Sequence, residues 1–170
     1  MSELDQYVGD RLTQIAVKFI LYTFVRTSEL RLAVWDEIDL DGINPIWKIP
    51  SERMKMKRPQ YVPLVPQIVE LLGEVKALID SKDLIFPSQK NIQKAMSENT
   101  LLYALYRMGY HSRTTVHGFR STASTILNES RKWHPDVIER QLAHVEGNKV
   151  RAAYNHAEYL DERREMMQWW

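Results

Sequence analysis

The sequence contains no cysteine and little glycine, with 6 glycines among 170 residues. The first absence excludes a disulfide framework, a thiol nucleophile, iron–sulfur clusters and cysteine-ligated zinc. No P-loop or dinucleotide-binding glycine pattern occurs, which argues against nucleotide-dependent chemistry. Neither sign of charge is in excess, because 23 basic side chains accompany 22 acidic ones. Whole-chain charge therefore gives no indication of nucleic-acid binding, and such an indication must come from local arrangement.

Long apolar runs are missing as well. No run approaches the length of a membrane span, and the acidic, polar N-terminus is not typical of a secretory signal. We therefore expect no membrane partner. What the chain does have is a hydrophobic fraction of 44% and a charged fraction of 26%, which is typical of a globular protein. A chain of this length can bury enough surface to fold without disulfides or metals.

Apolar spacing predicts a mainly α-helical fold with a small three-stranded antiparallel β-sheet. Helical spacing recurs in segments at about 12–20, 27–38, 66–75, 100–108, 117–127, 135–142, 150–156 and 160–170. Three extended runs, bounded by turn signals and a basic loop, are Ile38–Leu40, Ile46–Ile49 and Tyr61–Leu64. The loop, Met54–Pro59, connects the second and third strands, and Phe86-Pro87-Ser88 is predicted to be a break.

Polar residues at the ends of these predicted elements form a candidate site. In chain order they are Arg26, Lys55 or Lys57, His117, Arg120, His144 and Tyr154. Taken singly, each has an ordinary structural explanation, since exposed charges are common and a helical tyrosine is usually a core aromatic. His117 and Arg120 are three residues apart and therefore share one helix face. The order of the whole set is more specific than any one of its members.

In this order the residues resemble the signature of the tyrosine recombinase, or phage integrase, family, which is Arg, Lys, His-x-x-Arg, His or Trp, then Tyr. The flanking sequence agrees, and it comprises Arg26-Thr27-Ser28-Glu29-Leu30, Val62-Pro63-Leu64 and Leu142-Ala143-His144. Val150–Asn155 and Met166–Trp170 are similar to the prophage-type branch. The resemblance extends from about Leu12 to Trp170. It implies the tyrosine recombinase catalytic-domain fold, that of DNA breaking-rejoining enzymes.

The resemblance assigns a catalytic role to each residue, and the chemistry of the side chains suits these roles. Tyr154 is implied as the nucleophile, and its phenol, with an ordinary pKa of about 10, needs cationic neighbours or a base. The guanidiniums of Arg26 and Arg120 can bind the non-bridging phosphate oxygens and stay protonated. His117 and His144 can donate hydrogen bonds or move protons near neutral pH.

A lysine of the hairpin loop is implied as the acid that protonates the departing deoxyribose oxygen. Counting back from Val62-Pro63-Leu64 favours Lys55, with Lys57 as the alternative. The resemblance implies a 3′-phosphotyrosine intermediate and a free 5′-hydroxyl. One ester is exchanged for another, so no ATP, metal or other cofactor is expected. The implied function is site-specific DNA recombination that integrates or excises a prophage or genomic island.

Local basic clusters predict where DNA would bind. Between Arg107 and Lys132 there are five basic residues and one acidic residue, a composition typical of a phosphate-contacting region. The predicted DNA contacts are Lys57, Arg58, Arg113, Arg131 and Lys132. The resemblance implies double-stranded attachment-site DNA, a homo-tetramer on DNA that is monomeric when isolated, and accessory DNA-bending or excisionase proteins. It also implies a cytoplasmic location at the bacterial nucleoid.

We expect residues 1–170 to form a single catalytic domain, with a core at about 10–157 and a helical tail at 158–170. The N-terminal DNA-binding domains of such integrases are absent here, and we expect the natural protein to continue beyond both ends. Family members exchange C-terminal segments between subunits. The sequence leaves open whether the tail with Trp169 and Trp170 packs on its own chain or on a neighbour.

Three other functions compete with this one. A metal-dependent nuclease could use the acidic cluster of Asp36, Glu37, Asp39 and Asp41, although a solvated strand and turn is the simpler explanation. A non-enzymatic DNA-binding or regulatory relic would keep the fold without the reaction, which the complete polar set argues against. A type IB topoisomerase would share the chemistry, but the flanking sequence is more similar to integrases.

Overall fold

The computed structural model describes residues 2–144 and 157–170 of the chain. Its α-helices are α1 (Ser2–Asp5), α2 (Arg11–Thr23), α3 (Thr27–Arg31), α4 (Pro66–Leu78), α5 (Thr100–Leu105), α6 (Gly118–Ser130), α7 (Pro135–Gln141) and α8 (Leu160–Trp169). Its strands are β1 (Ile38–Asp39), β2 (Ile46–Ile49), β3 (Gln60–Pro63), β4 (Pro87–Ser88) and β5 (Asn91–Ala95). Short 3₁₀ turns cover Trp35–Glu37 and Ser51–Arg53. The predicted mainly α-helical fold with a three-stranded antiparallel sheet is confirmed.

Helix α2 is the centre of the core. The carboxylate of Asp10 caps its first turn by accepting a hydrogen bond of 2.8 Å from the Thr13 amide, and its apolar spacing buries one face, as predicted. The buried apolar residues of this helix are Leu12, Ile15, Ala16, Val17, Phe19 and Ile20. The ring of Phe19 packs edge-on against Trp47 and Phe86 at centroid distances of 5.8 and 5.6 Å, so α2 joins the sheet to the rest of the core. None of the described helices is both long and apolar enough to cross a membrane.

The three-stranded sheet has the order β1-β2-β3, with both pairs antiparallel. The register pairs Trp47 with Ile38 on one side and with Val62 on the other. Trp47, Ile49 and Val62 are fully buried against the helices, which fixes the register because a one-residue slip would expose all of them. The predicted strands match within about a residue at each end. Residues 50–59 connect β2 and β3 and form the loop discussed below.

Two predictions were wrong. The predicted second helix does not reach Val34 or Ile38, since α3 ends at Arg31. Val34 instead bridges to Leu84, and the Trp35 amide donates to the Asp83 carbonyl at 2.9 Å, so tertiary pairing overrides local helical spacing.

The predicted break at Phe86-Pro87-Ser88 is part of a second, two-stranded sheet formed by β4 and β5. Strand β5 is mostly exposed, so it lacks the apolar alternation that would have indicated it.

The predicted helix in the tail is confirmed, and α8 packs on its own chain. Met166 and Met167 are buried in the common core. Arg163 is fully buried, and its Nε donates to Gln141 Oε1 at 2.9 Å while Nη2 donates to the Tyr61 carbonyl. Burial lowers the pKa of Arg163 to about 9, which leaves the side chain protonated at neutral pH. The predicted helix at 150–156 lies outside the described residues.

Candidate active site

Arg26 is held at the start of α3 by the helix's own first turn. Three residues later, the Glu29 carboxylate accepts hydrogen bonds of 2.7 Å from both the Arg26 amide and Nη1, which is the capping-box geometry for a glutamate at the third helical position. Glu29 is buried, whereas the Arg26 side chain is 24% exposed. The Arg26 Nη2 also donates to the Ala143 carbonyl at 3.3 Å. The guanidinium is therefore oriented from two sides and remains open on a third.

Arg120 lies in the first turn of α6 and is almost fully buried. Its Nη1 donates to the Phe24 carbonyl and its Nη2 to the Leu142 carbonyl. Phe24 takes the left-handed conformation (φ 60°) that ends α2. Burial, followed by the positive charge of Arg26, lowers the pKa of Arg120 to about 10. The guanidinium thus stays charged at neutral pH, and a nearby anion would relieve its repulsion from Arg26.

Arg26, His117 and Arg120 line one cavity of about 510 Å³. The other residues that line it are Val25, Thr27, Ser28, Arg31, Glu98, Leu102, Thr115 and Val116. The structure therefore brings together the predicted arginine pair and the first predicted histidine, although they lie far apart in the sequence. A cavity with three arginines and one histidine against a single carboxylate suits an anionic ligand such as a phosphodiester.

His144 lies beside this cavity rather than in its wall. The carbonyls of the two residues before it accept hydrogen bonds from both arginines, Leu142 from Arg120 and Ala143 from Arg26. The imidazole Nδ1 is 2.8 Å from Glu139 Oε2, and the side chain is 43% exposed. The loop that carries His144 is thus fixed to the site, and Glu139 sets the orientation of the imidazole.

Lys55 lies on the exposed part of the loop between β2 and β3. Met54 is buried at the base of the loop, and the side chains from Lys55 to Pro59 are exposed. The Lys57 ammonium is bonded to the loop backbone, at 3.4 Å from the Glu52 carbonyl, whereas Lys55 has no hydrogen bond or ion pair with any described residue. This difference favours Lys55 over Lys57 as the loop lysine that is free to move toward a substrate. The structure does not bring either lysine into the cavity.

The predicted DNA contacts fall into separate regions. Lys57 and Arg58 are on the exposed loop, and the Arg113 guanidinium stacks on the Tyr110 ring at 5.4 Å. Arg131 and Lys132 follow the C-terminal end of α6, about 20 Å along the helix from the end that carries the cavity residues. The Lys132 ammonium lies 4.8 Å from the centre of the Trp169 ring. The structure thus does not bring this pair to the cavity.

Tyr154, the predicted nucleophile, lies outside the described residues. The nearest described tyrosine in the sequence is Tyr159, whose hydroxyl donates to Asp136 Oδ2 at 3.4 Å.

Two of the four acidic residues of the alternative metal site, Glu37 and Asp39, bind basic side chains. Glu37 accepts hydrogen bonds from Arg53 and, at 2.9 Å, from Trp47 Nε1. Asp39 pairs with Lys48 at 2.7 Å, and this hydrogen bond and charge lower the pKa of the Asp39 carboxyl. Within residues 2–144 and 157–170, no three potential metal ligands among His, Asp and Glu cluster closely enough to hold an ion.

Sequence reasoning missed two contributors to the site. Arg31 lines the cavity, and nothing in the sequence distinguishes it from a surface arginine. Glu29 entered only the ordinary structural explanation of Arg26, as a carboxylate that an arginine before a helix can pair with, and not as part of a site. Its position three residues after the helix start fits the capping-box pattern, and that pattern could have indicated that it holds Arg26.

The chain is similar in sequence to known proteins over most of its length. The sequence profile of the phage integrase family matches residues 3–160. The chain is 49% identical to the integrase of Enterobacteria phage P4 over 185 residues, covering 100% of this chain and 42% of that protein. It is 40% identical to the prophage integrase IntS of Escherichia coli over 168 residues, covering 98% of this chain and 43% of that one. The chain therefore spans less than half the length of these relatives.

A solved structure shows the same fold. The XerH site-specific recombinase, captured with its difH substrate before cleavage, superimposes with a TM-score of 0.67 at 20% sequence identity. The alignment covers 95% of this chain and 49% of that one. The predicted catalytic-domain fold is thereby confirmed.

Proposed function

This chain belongs to the phage integrase family, and we propose that it is the catalytic domain of a site-specific DNA recombinase. In this proposal residues 1–170 form one domain, with a core at about 10–157 and a tail at 158–170. The observation that carries the proposal is the cavity that joins Arg26, His117 and Arg120. The integrases that resemble the chain favour recombination over a topoisomerase or an inactive relic.

The two arginines are suited to bind a phosphodiester. Arg120 uses one N–H on each Nη for the carbonyls of Phe24 and Leu142. Its Nε is buried without a partner among the described residues. Since a guanidinium has five N–H donors, one further N–H on each Nη is not used by these carbonyls and can donate to a non-bridging oxygen. Negative charge increases on these oxygens in the pentacovalent transition state, and preorganised donors stabilise that charge more than the ground state.

We propose that cleavage exchanges one phosphate ester for another. The Tyr154 oxygen attacks phosphorus and loses its proton to His117, His144 or water, while the bond from phosphorus to the 5′-oxygen breaks. Lys55 transfers a proton to the departing 5′-oxygen, which leaves a 5′-hydroxyl and a 3′-phosphotyrosine. The reverse sequence, with a different 5′-hydroxyl as the attacking group, rejoins the strands. Arg26 and Arg120 remain protonated throughout.

The partner in this proposal is double-stranded DNA that carries an attachment site. We propose contacts through Lys57, Arg58 and Arg113, with Arg131 and Lys132 as more distant contacts. The solved complex of XerH with difH shows that a protein of this fold binds DNA. We further propose assembly as a tetramer on DNA, accessory DNA-bending or excisionase proteins, and action at the bacterial nucleoid.

Covalent capture tests the proposal. The chain is incubated with a pool of nicked suicide duplexes of randomised core sequence, and adducts are separated on a denaturing gel and sequenced. We expect wild-type protein to form an adduct, also in excess chelator, and Tyr154→Phe to form none. Tyr159→Phe is the matched control and should retain the adduct. Absence of any cleavage by wild-type protein would indicate an inactive relic, and cleavage that leaves no adduct and is lost in chelator would indicate a metal-dependent nuclease.

A further inference from the structure

Arg53 is partly buried and lies two residues before Lys55. Its Nη1 donates to both carboxylate oxygens of Glu37, and its Nη2 donates to the backbone carbonyl of Glu29. The side chains of Arg53 and Glu37 are 18% and 9% exposed. The Lys48–Asp39 pair on the same sheet is far more open, at 53% and 40%. The Arg53 contacts are thus shielded from water, where charge-assisted hydrogen bonds hold a geometry more firmly than at the surface.

Glu29 connects Arg53 to the phosphate-binding arginine. Its carboxylate holds the amide and guanidinium of Arg26, and its backbone carbonyl holds Arg53. Glu37, the other partner of Arg53, also accepts a hydrogen bond from Trp47 in β2. One guanidinium therefore links the sheet, the base of the loop and the start of α3.

The loop packs against the rest of the chain only as far as Met54. Ser51–Arg53 form a 3₁₀ turn, Met54 is buried, and the residues from Lys55 to Pro59 are exposed. Two residues span at most about 7 Å, so the position of Arg53 limits where Lys55 can reach. The ionic partners of Arg53 thereby set the distance between the loop lysine and Arg26.

We propose that Arg53 is a positioning residue that places the Lys55 ammonium at the leaving 5′-oxygen of the phosphate held by Arg26. This inference rests on the proposed function. Arg53 touches neither DNA nor the reacting atoms, and it acts by fixing the base of the loop to Glu37 and Glu29. Its loss should therefore impair protonation of the leaving group and spare the binding of the phosphate.

Replacing the leaving 5′-oxygen of the substrate by sulfur distinguishes a defect in leaving-group protonation from a defect in phosphate binding. The adduct-forming duplex is prepared with the ordinary 5′-oxygen at the scissile bond and, separately, with sulfur in its place. In the second substrate the bond from phosphorus to sulfur breaks and a thiolate departs. Since thiols ionise at a pKa of about 8.5, this group needs no proton from the enzyme. A variant defective only in leaving-group protonation should cleave the sulfur substrate normally.

We expect Arg53→Gln to slow cleavage of the oxygen substrate about 100-fold, in the range that a general acid contributes. Cleavage of the sulfur substrate should stay within about threefold of wild type, the pattern also expected of Lys55→Ala. Lys57→Ala is tested in parallel. The lysine variant that cleaves the oxygen substrate slowly and the sulfur substrate at a near-normal rate identifies the acid that Arg53 positions. Arg53→Lys, which keeps the charge but not the forked geometry, should fall between Arg53→Gln and wild type.

Glu37→Gln removes the same ion pair from the other side and decides the question if Arg53→Gln does not fold. Asp39→Asn is the matched control, because it breaks the exposed pair with Lys48 on the same sheet and should leave both rates unchanged. A defect of equal size on both substrates would overturn the proposal, as would wild-type rates on both. If wild-type protein cleaves neither substrate, it is the proposed function that fails.

Discussion

Arg120 and Arg26 differ in what their guanidiniums contribute to the fold. Arg120 is buried and satisfies the carbonyls of Phe24 and Leu142, whereas Arg26 is partly exposed and bonds to its own helix. Removing Arg120 leaves buried carbonyls without donors, and each such group costs about 1–3 kcal/mol. Removing the Arg26 side chain leaves Glu29 with the hydrogen bond from the amide of residue 26.

This difference predicts separate effects on activity and stability. Arg120→Ala and Arg26→Ala should each reduce adduct formation by at least about 100-fold, as expected when a transition-state donor is lost. Arg120→Ala should also lower the free energy of unfolding by about 2–4 kcal/mol, and Arg26→Ala by about half as much or less. Urea denaturation measures the stabilities. Equal destabilisation by both variants would contradict the structural role assigned to Arg120.

The salt dependence of DNA binding can show whether the loop between β2 and β3 or the C-terminal end of α6 contacts phosphates. A plot of the logarithm of the DNA-binding constant against the logarithm of the salt concentration has a negative slope. Each lost phosphate contact reduces the magnitude of this slope by about 0.9. The double variant Lys57→Gln with Arg58→Gln should therefore reduce the slope by about 2. The matched pair Arg131→Gln with Lys132→Gln should change it by less than half of this, because these residues lie at the far end of α6. Fluorescence anisotropy across salt concentrations measures the slopes, and the reverse ranking would place the DNA elsewhere.

The residue that follows helix α8, Trp170, contacts the segment that holds Arg120. The Trp170 ring packs edge-on against Phe24 at 5.1 Å, and its Nε1 donates to the Leu21 carbonyl at 3.0 Å. Phe24 is the residue whose carbonyl receives Arg120. The tail thus reaches Arg120, the arginine that we propose binds phosphate, through a single intervening residue.

Trp170→Ala should therefore reduce both stability and activity. We expect a loss of about 2–3 kcal/mol, below the value for a fully buried tryptophan, and slower adduct formation. Trp169→Ala is the matched control, because that ring is 42% exposed and should cost less than about 1 kcal/mol. Urea denaturation and the adduct assay check the two effects. Equal costs for the two variants would show that the tail does not support Phe24.

At the scale of the whole molecule, the sequence predicted the elements whose signals are local. The apolar spacing of α2 and the extended runs of the sheet depend on neighbouring residues, and the structure confirms both. The end of α3 was predicted wrongly because Val34 pairs with Leu84, a partner distant in the sequence. Hairpin β4–β5 was not predicted because β5 is mostly exposed.

In the candidate site, too, features with a local sequence signal were predicted and contacts between distant residues were not. The order and types of Arg26, His117 and Arg120 indicated a site, and the structure brings the three together. Their backbone partners were not predicted, because carbonyls such as those of Phe24 and Leu142 leave no signature in a sequence. Arg53 and its partly buried carboxylate partner, Glu37, come from different elements, so nothing local marked their pairing.

The most direct test of the central claim is to locate the phosphate on the protein. The covalent adduct is digested with nuclease and trypsin, and the peptide that begins after Arg151 and ends at Arg163 is fragmented in a mass spectrometer. Since this peptide contains both Tyr154 and Tyr159, its fragments distinguish the two. The account predicts a 3′-linked nucleotide on Tyr154. A nucleotide on Tyr159, on a histidine, or joined through a 5′-phosphate would contradict it.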